Sequence, residues 1–405
     1  MTTATQKQVE LIDEIEPGSQ MALTTNWRRL LGLNEMGVYY ALLLLVTALT
    51  TLTTYFGQAN YLSVQNLSNV VYQASLIAIM AVPMTVVLIS GNFDLSVASV
   101  AAIAAAMLIG NADAIGYWPA FALAMTVAIS VGLLNGAIVQ FIGINAFIVT
   151  LGTMTAVRGS VLLYTDGRSL SASDPDVIAT MKVFEGGRHD AFWLIVVGGA
   201  VLLAMGLYGA LQGRSANKPL RPASLGMAVG GIALLLLAWA SGGELFLRNP
   251  VIYMALFTAT VWFVLRFTMV GRRIYAVGGN PEAARLSGIN VTRYKLLAFV
   301  FCSAAAGFAG ILFASRLRSF NPTGLQGAEL TVIAAAILGG TSLFGGAGSV
   351  VKTLAGALLL YTLTNGFNIL NLGANWQGLI EGIVVVTAAA IYTVGNNKGK
   401  TKTSG

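Results

Sequence analysis

Long apolar runs recur along this chain and are apolar all round, without the polar stripe of a helix on a soluble protein's surface. A helix needs about 20 apolar residues to cross about 30 Å of hydrocarbon. The runs therefore predict an all-α, polytopic transmembrane helical bundle of about twelve spans, with ten as the lower limit. The third run is short and rich in alanine and the tenth ends in glycines, so either could be re-entrant or broken. The runs lie at 36–56, 68–90, 95–110, 118–141, 146–164, 191–211, 224–242, 250–270, 295–315, 329–343, 351–371 and 378–394.

Composition narrows the class of protein further. Of the 405 residues, 56% are hydrophobic and 10% are charged, whereas ordinary soluble domains carry about 25% charged residues. Disorder requires low hydrophobicity and high charge, and the single cysteine, Cys302, can close no intrachain disulfide. These figures exclude a soluble globular, a disordered or a disulfide-built protein. In its mid-span position Cys302 is expected to be a small packing residue.

Basic residues are distributed unevenly between the segments that join the runs. With the amino terminus inside, fifteen Lys and Arg residues fall in inside segments and six in outside loops. Because Lys and Arg favour the cytoplasmic side, both termini are predicted to be cytoplasmic. Residues 1–35 then form a cytoplasmic N-terminal segment, 36–394 the transmembrane domain and 395–405 a basic cytoplasmic tail. The net charge of +7 follows from this bias, so we expect no nucleic-acid partner.

The chain carries few groups from which a catalytic or energy-converting site could be built. The tail segment 395–401, GNNKGKT, is one residue short of a phosphate loop and lacks its strand-to-helix setting. His189 is the only histidine, so a histidine metal cluster or proton relay cannot be assembled. We expect no catalytic residue, no bound cofactor and no metal, with the energy supplied from elsewhere. The ionisable residues within the predicted spans or at their ends are few and scattered: Asp94 at the start of the third span, Arg158, Arg266, Glu329 and Glu381.

The inside loop 271–295 encodes a short helix with its own start and stop signals. Asn280 is a good N-cap, Pro281 suits the first helical position, Glu282 favours the N-terminal dipole and Gly288 is a natural stop. A helix of about seven residues is not stable alone. It must pack against its own membrane domain or dock into another protein. The alternative is that the loop only joins two spans, but the regular cap favours a rigid knob on the cytoplasmic face.

At this loop the sequence resembles a known family. GGNPEAARLSGIN (278–290) is similar to the cytoplasmic coupling loop of permease subunits from ATP-binding-cassette sugar importers of the ribose/xylose type, the branched-chain amino acid/monosaccharide permease family. Three further blocks resemble that family in order: LISGNFDLSVASV (88–100), FIVTLGTMTAVRGSVLL (147–163) and the segment 315–350. The resemblance covers roughly 60–395. The extra span pair 191–242 looks most like xylose-type members.

The sequence departs from the family pattern at two positions. Ala98 stands where a glycine is usual, and Thr331 stands where an aspartate is often seen. These departures leave the expected fold intact and leave the sugar open.

The resemblance implies an assembly and a mechanism. The chain would be a homodimeric, non-catalytic permease in the bacterial inner membrane, and it would pass a monosaccharide, such as a pentose, inward. A cytoplasmic ATP-binding-cassette ATPase would use the ATP, and a periplasmic sugar-binding protein would deliver the substrate. The loop 271–295, called the coupling loop below, would carry the ATPase movement into the spans. Its expected coupling residues are Asn280, Glu282, Ala283, Ala284, Arg285, Gly288 and Arg293.

A sugar is neutral and rich in hydroxyl groups, so its pathway calls for amide, hydroxyl and aromatic side chains. The segments 88–100 and 336–350 also echo each other, since each runs an apolar stretch into glycine, polar residues and a small-residue turn. Paired glycine-interrupted segments in two halves of a transporter indicate a pathway. The alternatives are that both segments are tight turns and that each amide bonds a neighbouring helix. The candidate pathway residues are Gln73, Asp94, Ser96, Asn135, Glu329, Thr341, Asn365, Asn368 and Trp376, with Asp94 and Ser96 expected to cap the third span.

A twelve-span secondary sugar carrier driven by an ion gradient shares the span number and the topology. Carriers of the major facilitator type show a basic turn between spans two and three. Here that turn reads GNFDL and has no basic residue. A channel-like or structural membrane protein is a third possibility, which the docking loop disfavours.

Overall fold

The computed structural model describes residues 33–58, 60–215, 222–243 and 245–371, together with the isolated positions 379, 382, 383 and 386. In chain order the helices are α1 Leu33–Tyr55, α2 Val64–Ile89, α3 Val97–Ile115, α4 Tyr117–Ala137, α5 Ala146–Thr165, α6 Pro175–Gly186, α7 Phe192–Ser215, α8 Pro222–Ala240, α9 Asn249–Phe267, α10 Met269–Gly279, α11 Pro281–Leu286, α12 Val291–Leu317, α13 Ala328–Leu338 and α14 Val350–Ile369. A π-helical turn, Ile138–Ile142, extends α4. The strands are β1 Leu170–Ser171, β2 Arg188–Asp190, β3 Phe246–Arg248 and β4 Ser319–Phe320.

Within these described ranges, nine helices are long and apolar enough to cross a membrane, and two apolar helical segments are shorter. The predicted all-α membrane bundle is therefore confirmed. Each of the first eleven predicted spans coincides with a helix. The last span, 378–394, the tail 395–405 and nearly all of the segment 1–35 lie outside the described residues.

The two spans that were expected to be irregular differ from each other. The third is a regular helix, because α3 continues to Ile115, five residues beyond the predicted end. The tenth is short, because α13 has 11 residues, which is roughly 16 Å at the α-helical rise. That length covers about half of the hydrocarbon thickness. Gly339 and Gly340 follow it directly, as the glycines in the sequence had indicated.

The chain divides into two compact units. The smaller includes residues 195–236, where α7 and α8 approach each other through small residues. A Cβ on Gly206 would lie 2.5 Å from the backbone nitrogen of Ala228, and one on Gly231 would lie 2.5 Å from that of Leu203. Such glycines let two membrane helices pack with their backbones close together. The segment 195–236 of this unit lies within the inserted span pair 191–242.

The larger unit, residues 37–194 and 237–405, has α2 at its centre. Nearly every residue of α2 from Ala74 to Ile89 is buried, including Met80, Met84 and Leu88. A helix that is apolar all round is expected to be enclosed by others. Cys302 of α12 is also fully buried, as predicted.

The two ends of this larger unit are built differently. One end, called the α6 face, carries α6 and two short antiparallel pairs in which Leu170 pairs with Phe320 and His189 with Leu247. The other end, called the coupling-loop face, consists of the turns 90–96, 143–145 and 339–349 and the segment 268–290. The ordered α6 was not expected, since the sequence suggested only a loop at 165–190.

Candidate functional site

The predicted helix of the coupling loop is present and is capped as expected. Oδ1 of Asn280 accepts a hydrogen bond from the backbone N–H of Ala283 (3.0 Å), and Pro281 occupies the first turn of α11. The helix stops before Gly288, whose φ of 78° is in the left-handed region that favours glycine. Of the residues of α11, Ala284 is buried, against Val277 and Val291. This small apolar contact seats α11 on its own domain.

The remaining surface of α11 is exposed and free for a partner. Leu286 is 82% exposed. Glu282 and Arg285 lie 3.9 Å apart with both side chains 71% exposed, so their ion pair adds little stability. Arg293 is also exposed, one turn into α12. The predicted coupling residues are thus all exposed except Ala284, which is buried.

The coupling loop meets the rest of the domain through glycine backbones. A Cβ added at Gly278 would overlap the carbonyl oxygen of Ile89, at the end of α2. That carbonyl also accepts a hydrogen bond from the backbone N–H of Gly346 (2.9 Å). A Cβ on Gly345 would lie 2.6 Å from the Gly278 carbonyl oxygen and 3.0 Å from Cα of Gly91. We call these five residues the glycine junction. It joins the coupling loop to both of the segments that echo each other in sequence.

Three of the predicted pathway residues come together beside this junction. Oδ1 of Asp94 accepts hydrogen bonds from the backbone N–H (2.9 Å) and the hydroxyl (2.6 Å) of Ser96. The Ser96 hydroxyl oxygen in turn accepts from Nδ2 of Asn135 on α4 (2.9 Å). Oδ1 of Asn135 accepts from the hydroxyl of Thr153 on α5 (2.6 Å). We call these four residues the polar chain; Thr153 lies in one of the family-like blocks but was not among the predicted residues.

The expected cap of the third span is only partly correct. Ser96 occupies the N-cap position of α3, but its side chain makes no capping hydrogen bond. The hydroxyl turns to Asp94 because the buried carboxylate needs a donor. The other carboxylate oxygen, Oδ2, is buried and has no hydrogen-bond partner among the described residues. Burial raises the pKa of Asp94, in the turn between α2 and α3, to about 6, since low polarity disfavours the charged form.

A polar cavity of about 570 Å³ opens on the same face. Its lining includes Asn92 and Phe93 from the turn before Asp94, Gln140 from the π-helical turn, Asn145 and Lys295. Amide side chains of this kind can bind hydroxyl groups without burying a charge. The cavity therefore offers amide groups that suit hydroxyl groups, together with one basic side chain, Lys295, at the coupling-loop face.

Thr341 and Glu329 lie elsewhere, each with a buried side-chain oxygen that lacks a partner among the described residues. The methyl group of Thr341 faces Gly348 near Ile89, at the edge of the glycine junction. Glu329 is in the first turn of α13, where its charge acts on Arg158 of α5. Arg158 donates to the carbonyl oxygen of Gly324 (2.9 Å).

The other predicted amides do not join this group. Asn365 pairs reciprocally with Asn66 of α2 (2.9 and 3.1 Å), so it bonds a neighbouring helix, the alternative raised from sequence. Gln73 is exposed at the α6 face and accepts a hydrogen bond from Arg316 (3.3 Å). Asn368 is exposed near the end of α14. Trp376 lies outside the described residues.

The sequence also did not predict the buried charge cluster of the α6 face. Arg316 donates from Nε to Oε1 of Glu185 (2.8 Å), and the Tyr72 hydroxyl donates to the same oxygen (2.6 Å). The guanidinium groups of Arg316 and Arg248 lie 3.9 and 4.2 Å from the centre of the Tyr72 ring. Glu185 lies on α6, for which a sequence signal existed: Asp174 accepts from two backbone N–H groups at the N-terminus of α6. The dipeptide Asp-Pro is the same kind of start signal as Asn280-Pro281.

A bundle of apolar spans with an exposed docking helix, a glycine junction and a buried polar chain defines a multi-pass membrane protein of the transport class. No group of three or more His, Cys, Asp and Glu side chains among the described residues could hold a metal ion. The chain belongs to the family described as the permease component of branched-chain amino acid transport systems, whose model matches residues 66–389. The family membership inferred from the four motifs is thereby confirmed.

Individual relatives cover nearly the whole chain. A xylose transport system permease protein of Haemophilus influenzae is 33% identical over 374 residues, which span 88% of this chain and 96% of that protein. A ribose import permease protein of Escherichia coli is 33% identical over 362 residues, spanning 89% and 94%. The xylose transport system permease protein of Escherichia coli is 33% identical over 367 residues, spanning 86% and 90%. No solved structure matches the chain.

Proposed function

We propose that this chain is the membrane permease subunit of an ATP-driven importer that carries a monosaccharide into the cytoplasm, and that the sugar is a pentose such as xylose. The observation that carries the proposal is the capped, exposed helix α11, rigidly joined to the bundle through the glycine junction. An exposed helix held in this way can pass a movement of a separate protein to the spans. The xylose and ribose permeases among the relatives supply the substrate class.

The distribution of charge supports a neutral substrate and an external source of energy. The polar chain contains a single carboxylate, Asp94, and the cavity of the coupling-loop face is lined by amide residues, glycines and apolar residues with one charged residue, Lys295. An ion-driven carrier is expected to use several ionisable groups along its pathway. The permease itself is non-catalytic and binds no cofactor, and a cytoplasmic ATPase hydrolyses the ATP.

The complete assembly contains two copies of the permease, two ATPases and one periplasmic sugar-binding protein in the bacterial inner membrane. The permease has about twelve spans and both termini in the cytoplasm. Its coupling-loop face is cytoplasmic, and its α6 face is periplasmic. The exposed Arg272, Arg285 and Arg293 on or beside the coupling loop support this orientation, because basic residues favour the cytoplasmic side.

Reconstitution tests this function against the secondary-carrier alternative. The permease, its ATPase and its binding protein are placed in vesicles, and uptake of xylose and ribose is measured with ATP or with a proton gradient. We expect uptake that requires ATP and both partners. Uptake by the permease alone, driven by the proton gradient, would contradict the importer proposal and favour a secondary carrier.

A further inference from the structure

The polar chain has a single consistent direction. Thr153 donates to Asn135, Asn135 donates to Ser96, and Ser96 donates to Asp94. Loss of the Thr153 donor or of the Asn135 donor leaves the next acceptor oxygen in a buried site without that partner, and this costs more than the bond itself contributes. The four side chains therefore act as one unit, which connects the turn 90–96 with α3, α4 and α5.

One end of the polar chain is attached to the glycine junction. Asp94 lies three residues after Gly91, in a turn whose backbone is itself hydrogen-bonded: Gly91 donates to Leu88 (2.9 Å) and Asn92 donates to Val87 (3.1 Å). Gly278 of the coupling loop lies against the carbonyl group of Ile89 with no space for a Cβ. Because packed backbones hardly compress, a displacement of the coupling loop must move this turn, and Asp94 with it.

The other end of the polar chain lies on α5, a helix whose middle is less buried than its two ends. Between Thr150 and Val161, the middle of α5 contains no buried residue. Within this stretch, Val157 packs against the core as a partly buried residue. Hydrogen bonds also hold it: that of Thr153 to Asn135 and those of Arg158 to the loop before α13. The residues Gly152, Thr155 and Ala156 beside Thr153 are exposed. On the α4 side, the π-helical turn begins three residues after Asn135, and such turns often mark functional sites.

We propose that the polar chain transmits the position of the coupling loop to the middle of α5, with Ser96, Asn135 and Thr153 as positioning residues for transport. The inference rests on the proposed function, because it assigns a route within the permease for the movement of the ATPase. The chain is a hydrogen-bonded element that can be made or broken, and such a two-state element is the physical requirement for coupling between distant sites.

The main test compares Thr153→Val with Thr153→Ser in the reconstituted complex of permease, ATPase and binding protein. The measured quantity is the number of xylose or ribose molecules taken up per ATP hydrolysed. Valine keeps the shape but removes the hydroxyl, and we expect a roughly tenfold lower ratio, the effect of one unmade buried hydrogen bond. Serine restores the hydroxyl, so the ratio should return to within about twofold of the original.

Thr155→Val is the matched control, because its hydroxyl bonds only within α5, to the Leu151 carbonyl (3.1 Å), and is exposed. We expect an unchanged ratio for this variant. A normal ratio in Thr153→Val, or an equal loss in Thr155→Val, would overturn the inference.

Hydrogen exchange on the permease alone in lipid nanodiscs separates this inference from the proposed function. Amides of 151–160 should exchange faster in Thr153→Val than in Thr155→Val, whether or not sugar is transported. Gly278→Ala should alter the same amides when Thr153 is present, and should have no further effect in a Thr153→Val background. If Gly278→Ala acts equally in both backgrounds, the polar chain does not transmit the movement. If the unaltered complex fails to import any sugar with ATP, the proposed function fails and the exchange result still stands.

Discussion

The α6 face and the coupling-loop face are held together by different chemistry. At the α6 face, Glu185 and Arg316 form an ion pair whose side chains are only 5% and 15% exposed, with Tyr72 bonded to the same carboxylate. At the coupling-loop face, the contacts are backbone carbonyls against glycines, and a polar chain of hydroxyl and amide groups that ends on the Asp94 carboxylate. Removing one partner of a buried ion pair costs about 3–5 kcal/mol, whereas a neutral hydrogen bond contributes about 1 kcal/mol. The first face is therefore built to stay closed and the second to rearrange.

This difference fits the proposed function, in which the coupling-loop face receives the movement of the ATPase. A face that receives movement from another protein needs contacts that can shift without exposing an uncompensated charge. Backbone contacts between glycines and the hydrogen bonds that link Thr153, Asn135 and Ser96 meet that need, since none of them pairs two charges. A charge cluster around α6 instead secures a short helix of 12 residues, which is too short to be stable alone.

The largest effect on stability should come from the α6 face. Glu185→Gln leaves Arg316 buried without its counter-charge, and we expect a loss of about 3–5 kcal/mol in the free energy of unfolding. The measurement is unfolding in mild detergent, followed by near-ultraviolet circular dichroism. Glu185→Gln combined with Arg316→Met removes both charges and should recover part of the loss. A single variant as stable as the unaltered protein would contradict the structural role of the pair.

The glycine junction should give the next effect. Gly278→Ala forces a methyl group against the Ile89 carbonyl, and overpacking of this kind costs about 1–3 kcal/mol. We also expect sugar-stimulated ATP hydrolysis by the reconstituted complex to fall sharply, because the coupling loop is displaced.

The neighbouring Gly279→Ala is the control for this prediction. A Cβ on Gly279 would come within 3.8 Å of Cα of Gly346, which is an ordinary contact. Equal effects of the two alanines would mean that the close approach at Gly278 is unimportant.

The cap of α11 should contribute less. Asn280→Ala removes the acceptor of the Ala283 N–H, and loss of an N-cap costs about 1 kcal/mol. Because α11 has six residues, the local effect should appear as faster amide exchange in 282–286. Asn280→Ser retains an acceptor and should exchange almost normally. Unchanged exchange in the alanine variant would show that Ala284 alone seats the helix.

The smallest effect on stability is expected at Glu282. Its carboxylate is exposed and its ion pair with Arg285 is long, so Glu282→Lys should change the free energy of unfolding by less than about 0.5 kcal/mol. If α11 docks into the ATPase, the same change should abolish sugar-stimulated ATP hydrolysis while the permease remains in the membrane. Normal stimulation in this variant would count against docking through α11.

Structural elements that depend only on residues close together along the chain could be predicted from the sequence. The apolar runs matched the helices, and Asn280, Pro281 and Gly288 placed α11, because capping is decided within about four residues. The same logic applied to Asp174 and Pro175 would have found α6. The sequence identified candidate amide residues, but it could not separate those that line a pathway from those that bond a neighbouring helix. Whether an amide serves a pathway or a neighbour depends on what the packed helices bring close to it.

By itself, the sequence determined that this protein is a helical membrane bundle with a capped helix in one loop, since hydrophobic length and caps are local properties. Only the tertiary structure decided which polar groups meet. It joined Glu185 to Arg316 across 131 positions and Asn365 to Asn66 across 299, and it gathered Asp94, Asn135 and Thr153 into one chain. Burial of a polar group is tolerable only with a partner, and the packing of distant helices determines which partner is available.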